Sequence, residues 1–192
     1  MPAPVKTFYF DLETTGLNPE KHAIIQLAHI IDIDGEIVEE GEFLIRPYEK
    51  DLIDDEALKV NKRTREEIAG FEDPDVVFWE IVNDLLDKHI DRFDKTDKFY
   101  PAGYNIESFD IPFMREYFRK AENPYYGSYF NYKPIDPMRI LFWLNWMGKI
   151  NLPNLRLETV CNYCGIKINA HDAVSDTRAA RELILRMRKV LK

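Results

Sequence analysis

Only two of the 192 residues are cysteine, Cys161 and Cys164, in a single CxxC. A structural zinc site needs about four ligands, and no second Cys/His pair lies at a suitable spacing. A redox-active CxxC wants a thioredoxin-like context, which is missing. The two thiols therefore read as ordinary residues of a helix, in a reducing, cytoplasmic compartment. Residues 1–10 lack the apolar run and small-residue cleavage site of a secretory signal. No segment approaches the ~18–20 apolar residues that span a bilayer, so no membrane partner is expected. Internal repeats and low-complexity linkers are absent too, and residues 1–192 read as one domain.

Basic residues are in deficit. Lys and Arg number 26 against 34 Asp and Glu, a formal charge of −8. A phosphate binder usually shows a basic patch or a high pI. The surplus is local, however. Residues 32–57 hold eleven acids against Arg46 and Lys50, and the rest of the chain is close to neutral. That window covers a hairpin and the loop after it, and reads as a solvated edge strand that resists edge-to-edge pairing.

Apolar residues make up 45% of the chain, enough for a sizeable core. Residues 6–12, KTFYFDL, form an aromatic-rich strand. Residues 23–34 and 36–46 form two more, joined by the turn signal Asp34-Gly35. Further strands are expected over 98–105 and 132–135. Helices are expected over 55–61, 64–69, 75–90, 109–121, 138–147, 155–164 and 173–191. Three consecutive strands followed by strands alternating with helices imply a mixed sheet with helices on its faces.

Carboxylates occupy three places where packing alone would not put them. Asp11 and Glu13 fall on one face of the first strand, about 7 Å apart, just after Phe8 and Phe10. Asp110 lies three and four residues before the stripe Phe113, Met114, Tyr117 and Phe118. Taken alone, it reads as an N-cap. Asp176 precedes Ala180 by four residues and Leu183 by seven, inside a helix where no cap is needed. His171 falls in the approach to that helix. No Lys or Arg sits on those stripes, and an unpartnered buried carboxylate costs several kcal/mol. A pair of magnesium or manganese ions answers this best, because hard oxygen donors select them over zinc. Two such ions stabilise the attacking and leaving oxygens of a phosphoryl displacement. His171, with an intrinsic pKa of about 6.5, suits a general base.

Three motifs then stand in order: FDLETTGL, YNIESFD and HDAVSD. In this the chain resembles the DEDDh-type 3′–5′ exonucleases of the DnaQ-like superfamily, which includes the proofreading epsilon subunit of bacterial DNA polymerase III. The match runs from about Thr7 to Leu185. The resemblance implies an α/β, RNase H-like fold with a five-stranded mixed sheet flanked by helices. It implies release of nucleoside monophosphates from single-stranded or frayed 3′ ends of DNA or RNA, with two divalent cations, Mg2+ or Mn2+. Asp11, Glu13 and Asp176 would hold the catalytic ion, and Asp11 would also touch a second ion shared with substrate. Asp110 would act on that second ion through water, and His171 would deprotonate the attacking water. Thr14 and Thr15 would hydrogen-bond the terminal nucleotide, Leu17 would wedge against its base, Gly16 would permit a tight turn, and Asn105 would line the cleft. Phe109 reads as a core packer.

A DNA polymerase is a further partner the resemblance allows. The sequence stops just after the last helix without a tether, so a stand-alone enzyme is equally expected. The basic segment 58–65, LKVNKRTR, corresponds to one that borders the cleft in relatives. It reads equally as a phosphate contact or a solvated face. A non-catalytic RNase H-like binding module and a hydrolase of short oligonucleotides are the competing functions. Neither the acids nor the histidine are lost, as a binding module would allow.

Overall fold

The computed structural model describes residues 4–168 and 172–190. Strand β1 (Lys6–Thr14) is central. It pairs antiparallel with β2 (Ile24–Ile33), which pairs antiparallel with β3 (Glu36–Leu44). The β2–β3 turn uses Asp34 and Gly35, both at positive φ, as a two-residue hairpin of matching twist requires. After β3 come α1 (Asp55–Asn61), α2 (Arg65–Ala69) and α3 (Pro74–Glu80), which runs on through a π-helical stretch (Ile81–Leu86) into α4 (Asp87–His89). Strand β4 (Tyr100–Ala102) pairs parallel with the start of β1, giving the order β3-β2-β1-β4. Then follow α5 (Asp110–Lys120), α6 (Tyr126–Tyr129), α7 (Pro137–Trp146), α8 (Leu157–Cys164) and α9 (Ala173–Val190).

The described sheet has four strands, one fewer than expected. Residues 132–135 contribute a single bridge, Ala102 to Ile135. Pro134 has no N–H to extend a ladder, and Asp136-Pro137 at once starts α7. There Asp136 accepts the Met138 N–H at 3.1 Å and Pro137 fills the first turn.

The two faces of β1 have different partners. Phe8, Phe10 and Leu12 enter the main core with the π-helical stretch and α5, where Phe8 packs against Phe99 and Phe130 at ring distances of 5.6 and 5.5 Å. Burial of side chains this large supplies about 1.5–3 kcal/mol each. Tyr9 packs on the opposite face with Ile30 and Ala102, against Ile184 of α9. By alternation, Asp11 and Glu13 belong to this α9 side. A smaller core joins α7, α8 and α9 through Leu141, Val160, Cys161, Ala179 and Leu183. Cys161 is an unbridged core residue there, its thiol pushed up to about 11 by burial.

The acid-rich window is only partly a solvated edge. Asp32 is 3% exposed and accepts from Arg181 Nε and Nη2 at 2.9 and 2.6 Å, which fastens α9 to β2. Glu39 pairs with Lys88 and His89, and Glu40 with Arg178. No helix among the described residues is long and apolar enough to cross a membrane.

Candidate active site

The strand, α5 and α9 bring the four predicted carboxylates into one electrostatic unit. The Asp11 carboxyl is held well above the usual range by desolvation first, then by the charges of Asp110, Glu13 and Asp176. Glu13 is pushed up to about 7 by desolvation, then by Asp176, with Arg63 opposing and Asp172 adding. Four acids that are more than 150 residues apart at the extremes of the sequence thus oppose one another's ionisation. Such mutual perturbation marks a functional site more often than a structural one.

Asp110 is 4% exposed. It does not cap α5: Phe109 holds the N-cap position, with no side-chain cap bond. Asp110 Oδ1 instead accepts the Leu12 backbone N–H at 3.0 Å. Strand β4 pairs with β1 only from Thr7 to Tyr9, so the Leu12 N–H lies past the end of that ladder and needs another acceptor. The acid moves up to about 7 because desolvation outweighs this bond, and Asp136 and Glu13 add to the rise. An N-cap reading from the helix alone misses this cross-chain role.

Asp176 lines a cleft with Tyr104, Asn105, Met138, Leu155, Arg156, Glu158 and Ile168. Asn105 adopts a left-handed backbone (φ 62°) and donates its N–H to Asp136 Oδ1 at 3.0 Å. The Tyr104 hydroxyl donates to Leu155 O at 2.7 Å, closing the cleft floor toward α8. Asp172 Oδ1 accepts the Ser175 N–H at 2.8 Å in the first turn of α9, ahead of Asp176. His171 lies outside the described residues.

The turn after β1 is held together by its own threonine hydroxyls. The Thr14 hydroxyl donates to Gly16 O at 2.7 Å. The Thr15 hydroxyl donates to Leu52 O at 2.7 Å and accepts the Ala23 N–H at 2.9 Å. Both hydroxyls are therefore engaged inside the protein. Gly16 is not in the left-handed region, so backbone torsion does not require it. Space does: a Cβ there would lie 2.3 Å from His22 Cδ2 and 2.7 Å from Asp54 Oδ2. Leu17, 82% exposed, projects from this turn. Phe109 is a core packer, its ring 5.0 Å from Phe113.

Three further residues contribute, two of them from the basic segment 58–65. Arg63, in the basic segment, lowers the Glu13 pKa while its guanidinium sits over the Phe71 ring. Asn61 Nδ2 donates to Thr14 O at 2.8 Å and so ties α1 to the end of β1. Asp136 ties α7 to the Asn105 turn. The Asp-Pro pair is a local cap signal for Asp136; the basic run marks Arg63 by its charge, while nothing local gives its reach to Glu13 or the bond from Asn61 to Thr14.

The donor set fits hard divalent cations: several carboxylates, desolvated and mutually repelling, with both thiols elsewhere. Among the described residues no three His, Cys, Asp or Glu side chains form a ready-made metal shell.

A family model described as Exonuclease (RNase_T) matches residues 8–184. DNA polymerase III PolC-type of Bacillus cereus is 25% identical over 182 residues, which is 94% of this chain and 11% of that protein. E. coli Exonuclease I in complex with a dT13 oligonucleotide superposes with a TM-score of 0.76 at 21% identity, over 97% of this chain and 42% of that one. An Exonuclease I from Methylocaldum szegediense gives 0.76 at 22% identity, over 97% and 41%. The chain thus spans about a tenth of the PolC relative and about two fifths of the Exonuclease I chains. The structural likenesses establish the fold: a mixed sheet flanked by helices, of the RNase H-like kind, with four strands described.

Proposed function

The chain belongs to the RNase_T exonuclease family, and on that premise we propose that it removes nucleoside monophosphates from the 3′ ends of single-stranded or frayed DNA or RNA. The observation that carries the proposal is the set of four carboxylates, from β1, α5 and α9, that raise one another's affinity for positive charge. Asp11, Glu13, Asp110 and Asp176 would hold two divalent cations, magnesium or manganese, which when bound supply charge stabilisation for in-line phosphoryl transfer. The Leu12 N–H fixes Asp110 against the strand that carries Asp11 and Glu13. His171, five residues before Asp176 in the H-x4-D pattern, takes the proton of the attacking water. Asn105 borders the cleft, and the exposed Leu17 would wedge against the last base. Thr14 and Thr15 would hydrogen-bond the terminal nucleotide, since a hydroxyl that donates within the turn still has a lone pair with which to accept.

The Exonuclease I neighbour was solved with a dT13 oligonucleotide, which supports a single-stranded substrate here. The PolC-type relative supports association with a DNA polymerase as a further part of the proposal. A single catalytic domain acting in the cytoplasm completes it. The test uses 5′-labelled single-stranded DNA and RNA with magnesium, manganese or EDTA. A descending ladder that EDTA abolishes is expected, and replacement of His171 by alanine lowers its rate by about 10²–10⁴. Binding without a ladder under any metal would leave a non-catalytic binding module as the function.

A further inference from the structure

Helix α7 carries an unusual outer surface. Phe142, Trp143, Trp146 and Met147 are 56%, 59%, 72% and 49% exposed. Two of the chain's three tryptophans are here, their rings 5.7 Å apart and edge to face. Soluble domains rarely leave contiguous apolar surface of this kind uncovered without a use for it.

Its position gives the use. Met138, in the first turn of α7, lines the same cleft as Asp176 and Asn105. Phe142 and Trp146 follow Met138 at i+4 and i+8, so the three form one ridge along the helix. At 1.5 Å per residue, the ridge carries Trp146 about 12 Å outward from the cleft. Leu155 and Arg156, from the segment after α7, line the cleft beside Met138.

Its charge selects the occupant. Residues 137–157 contain Arg139, Lys149 and Arg156 and not one acid, in a chain whose net charge is −8. All three cations are exposed, and Glu107 pairs with Arg139 at 3.1 Å. Aromatic rings interleaved with basic side chains match a strand of unpaired bases on a phosphate backbone.

We propose that the Phe142–Trp146 ridge of α7 is a stacking platform for single-stranded nucleic acid, holding the nucleotides upstream of the 3′ end while that end occupies the cleft. This rests on the exonuclease reading of the cleft and adds a length-dependent binding site outside it. The occupant enters base-first against the rings, with its phosphates toward Lys149 and Arg156.

The experiment compares dT12 with dT2 as substrates and as ligands. The wild-type chain should favour dT12 in kcat/KM. Trp146→Ala or Trp143→Ala should cut that preference about tenfold or more, through KM, and Trp146→Phe should restore most of it. In a Trp79→Phe background with EDTA, dT12 should quench tryptophan fluorescence in a saturable, salt-sensitive manner. No length preference, or one that survives both alanine substitutions, overturns the platform. So does a concentration-dependent dimer that Trp146→Ala dissolves while the preference stays, since the ridge would then bind a second copy of the chain. Loss of hydrolysis on both lengths with quenching retained refutes the exonuclease reading and upholds the platform. Hydrolysis without quenching does the reverse.

Discussion

Replacing Glu13 by glutamine removes one charge from the carboxylate cluster and keeps its shape. The Glu13 carboxyl titrates near 7 in the fold against 4.5 ordinarily. Between those values the folded chain binds more protons than the unfolded one. Stability from this group is therefore greatest below about pH 4.5 and falls as pH rises to about 7. At about 1.4 kcal/mol for each pH unit, ionised Glu13 costs the metal-free fold about 3 kcal/mol at pH 8. Glu13→Gln in EDTA at pH 8 should be more stable than wild type by that amount, on the order of 6–12 °C in melting temperature for a domain of this size. The advantage should vanish at pH 4.5, where both proteins are neutral at this position. Millimolar Mn2+ should raise the wild-type midpoint and leave the variant nearly unmoved, because the cation does for wild type what the substitution does for the variant. Thermal melts followed by circular dichroism at pH 4.5, 6 and 8, with EDTA or Mn2+, check each arm. Equal midpoints at pH 8 in EDTA, or an advantage that persists at pH 4.5, would refute the claim that these acids repel within one desolvated cluster.

Three further outcomes follow from other parts of the fold. His29 is 4% exposed, stacked between Phe8 and Phe43, and burial lowers its pKa to about 4. The unfolded chain takes up its proton first, so about 3 kcal/mol is lost as pH falls from about 6.5 to 4. His29→Leu should flatten that acid limb in urea titrations, and identical limbs would dismiss the cause. Arg181→Met strands the buried Asp32 and should cost about 3–5 kcal/mol, with Asp32→Asn in the same chain recovering part of it; a loss below 1 kcal/mol means the pair does not hold α9 to the sheet. Gly16→Ala should cost about 1–3 kcal/mol by overpacking. Adding Ala to a His22→Ala chain should then cost much less, whereas an unchanged cost would return the argument to backbone torsion.

The elements legible in the sequence are those whose reason is local. The Asp34-Gly35 turn, the capping box of Thr64 and Glu67, and the Asp136-Pro137 start of α7 each carry their own hydrogen-bond logic. The helix expected over 75–90 exists from Pro74 to His89, yet its middle is π-wound. One widened turn leaves the apolar face of Ile81, Val82, Leu85 and Leu86 buried, so the pattern gives no sign of it. The fifth strand failed for a reason at Pro134 that a strand pattern of four residues is too short to overrule.

The carboxylate cluster was legible because burial and charge conflict there. Asp11, Glu13, Asp110 and Asp176 each sit where an apolar period calls for an apolar side chain, and that conflict needs no structure to be seen. How the conflict is managed could not be read the same way. The Leu12 N–H that Asp110 accepts, the Arg63 charge that tempers Glu13, and the Asp54 carboxylate that helps exclude a side chain at Gly16 all arrive from distant parts of the chain. At Gly16 the structure adds a spatial reason for glycine. A glycine in a turn suggests positive φ, but here the ring and the Asp54 carboxylate occupy the space where a Cβ would lie. The same distinction applies to the net charge. A total of −8 describes the whole chain, whereas a phosphate meets only the local field, and the stretch from residue 137 to 157 brings three basic side chains and no acid of its own to that field.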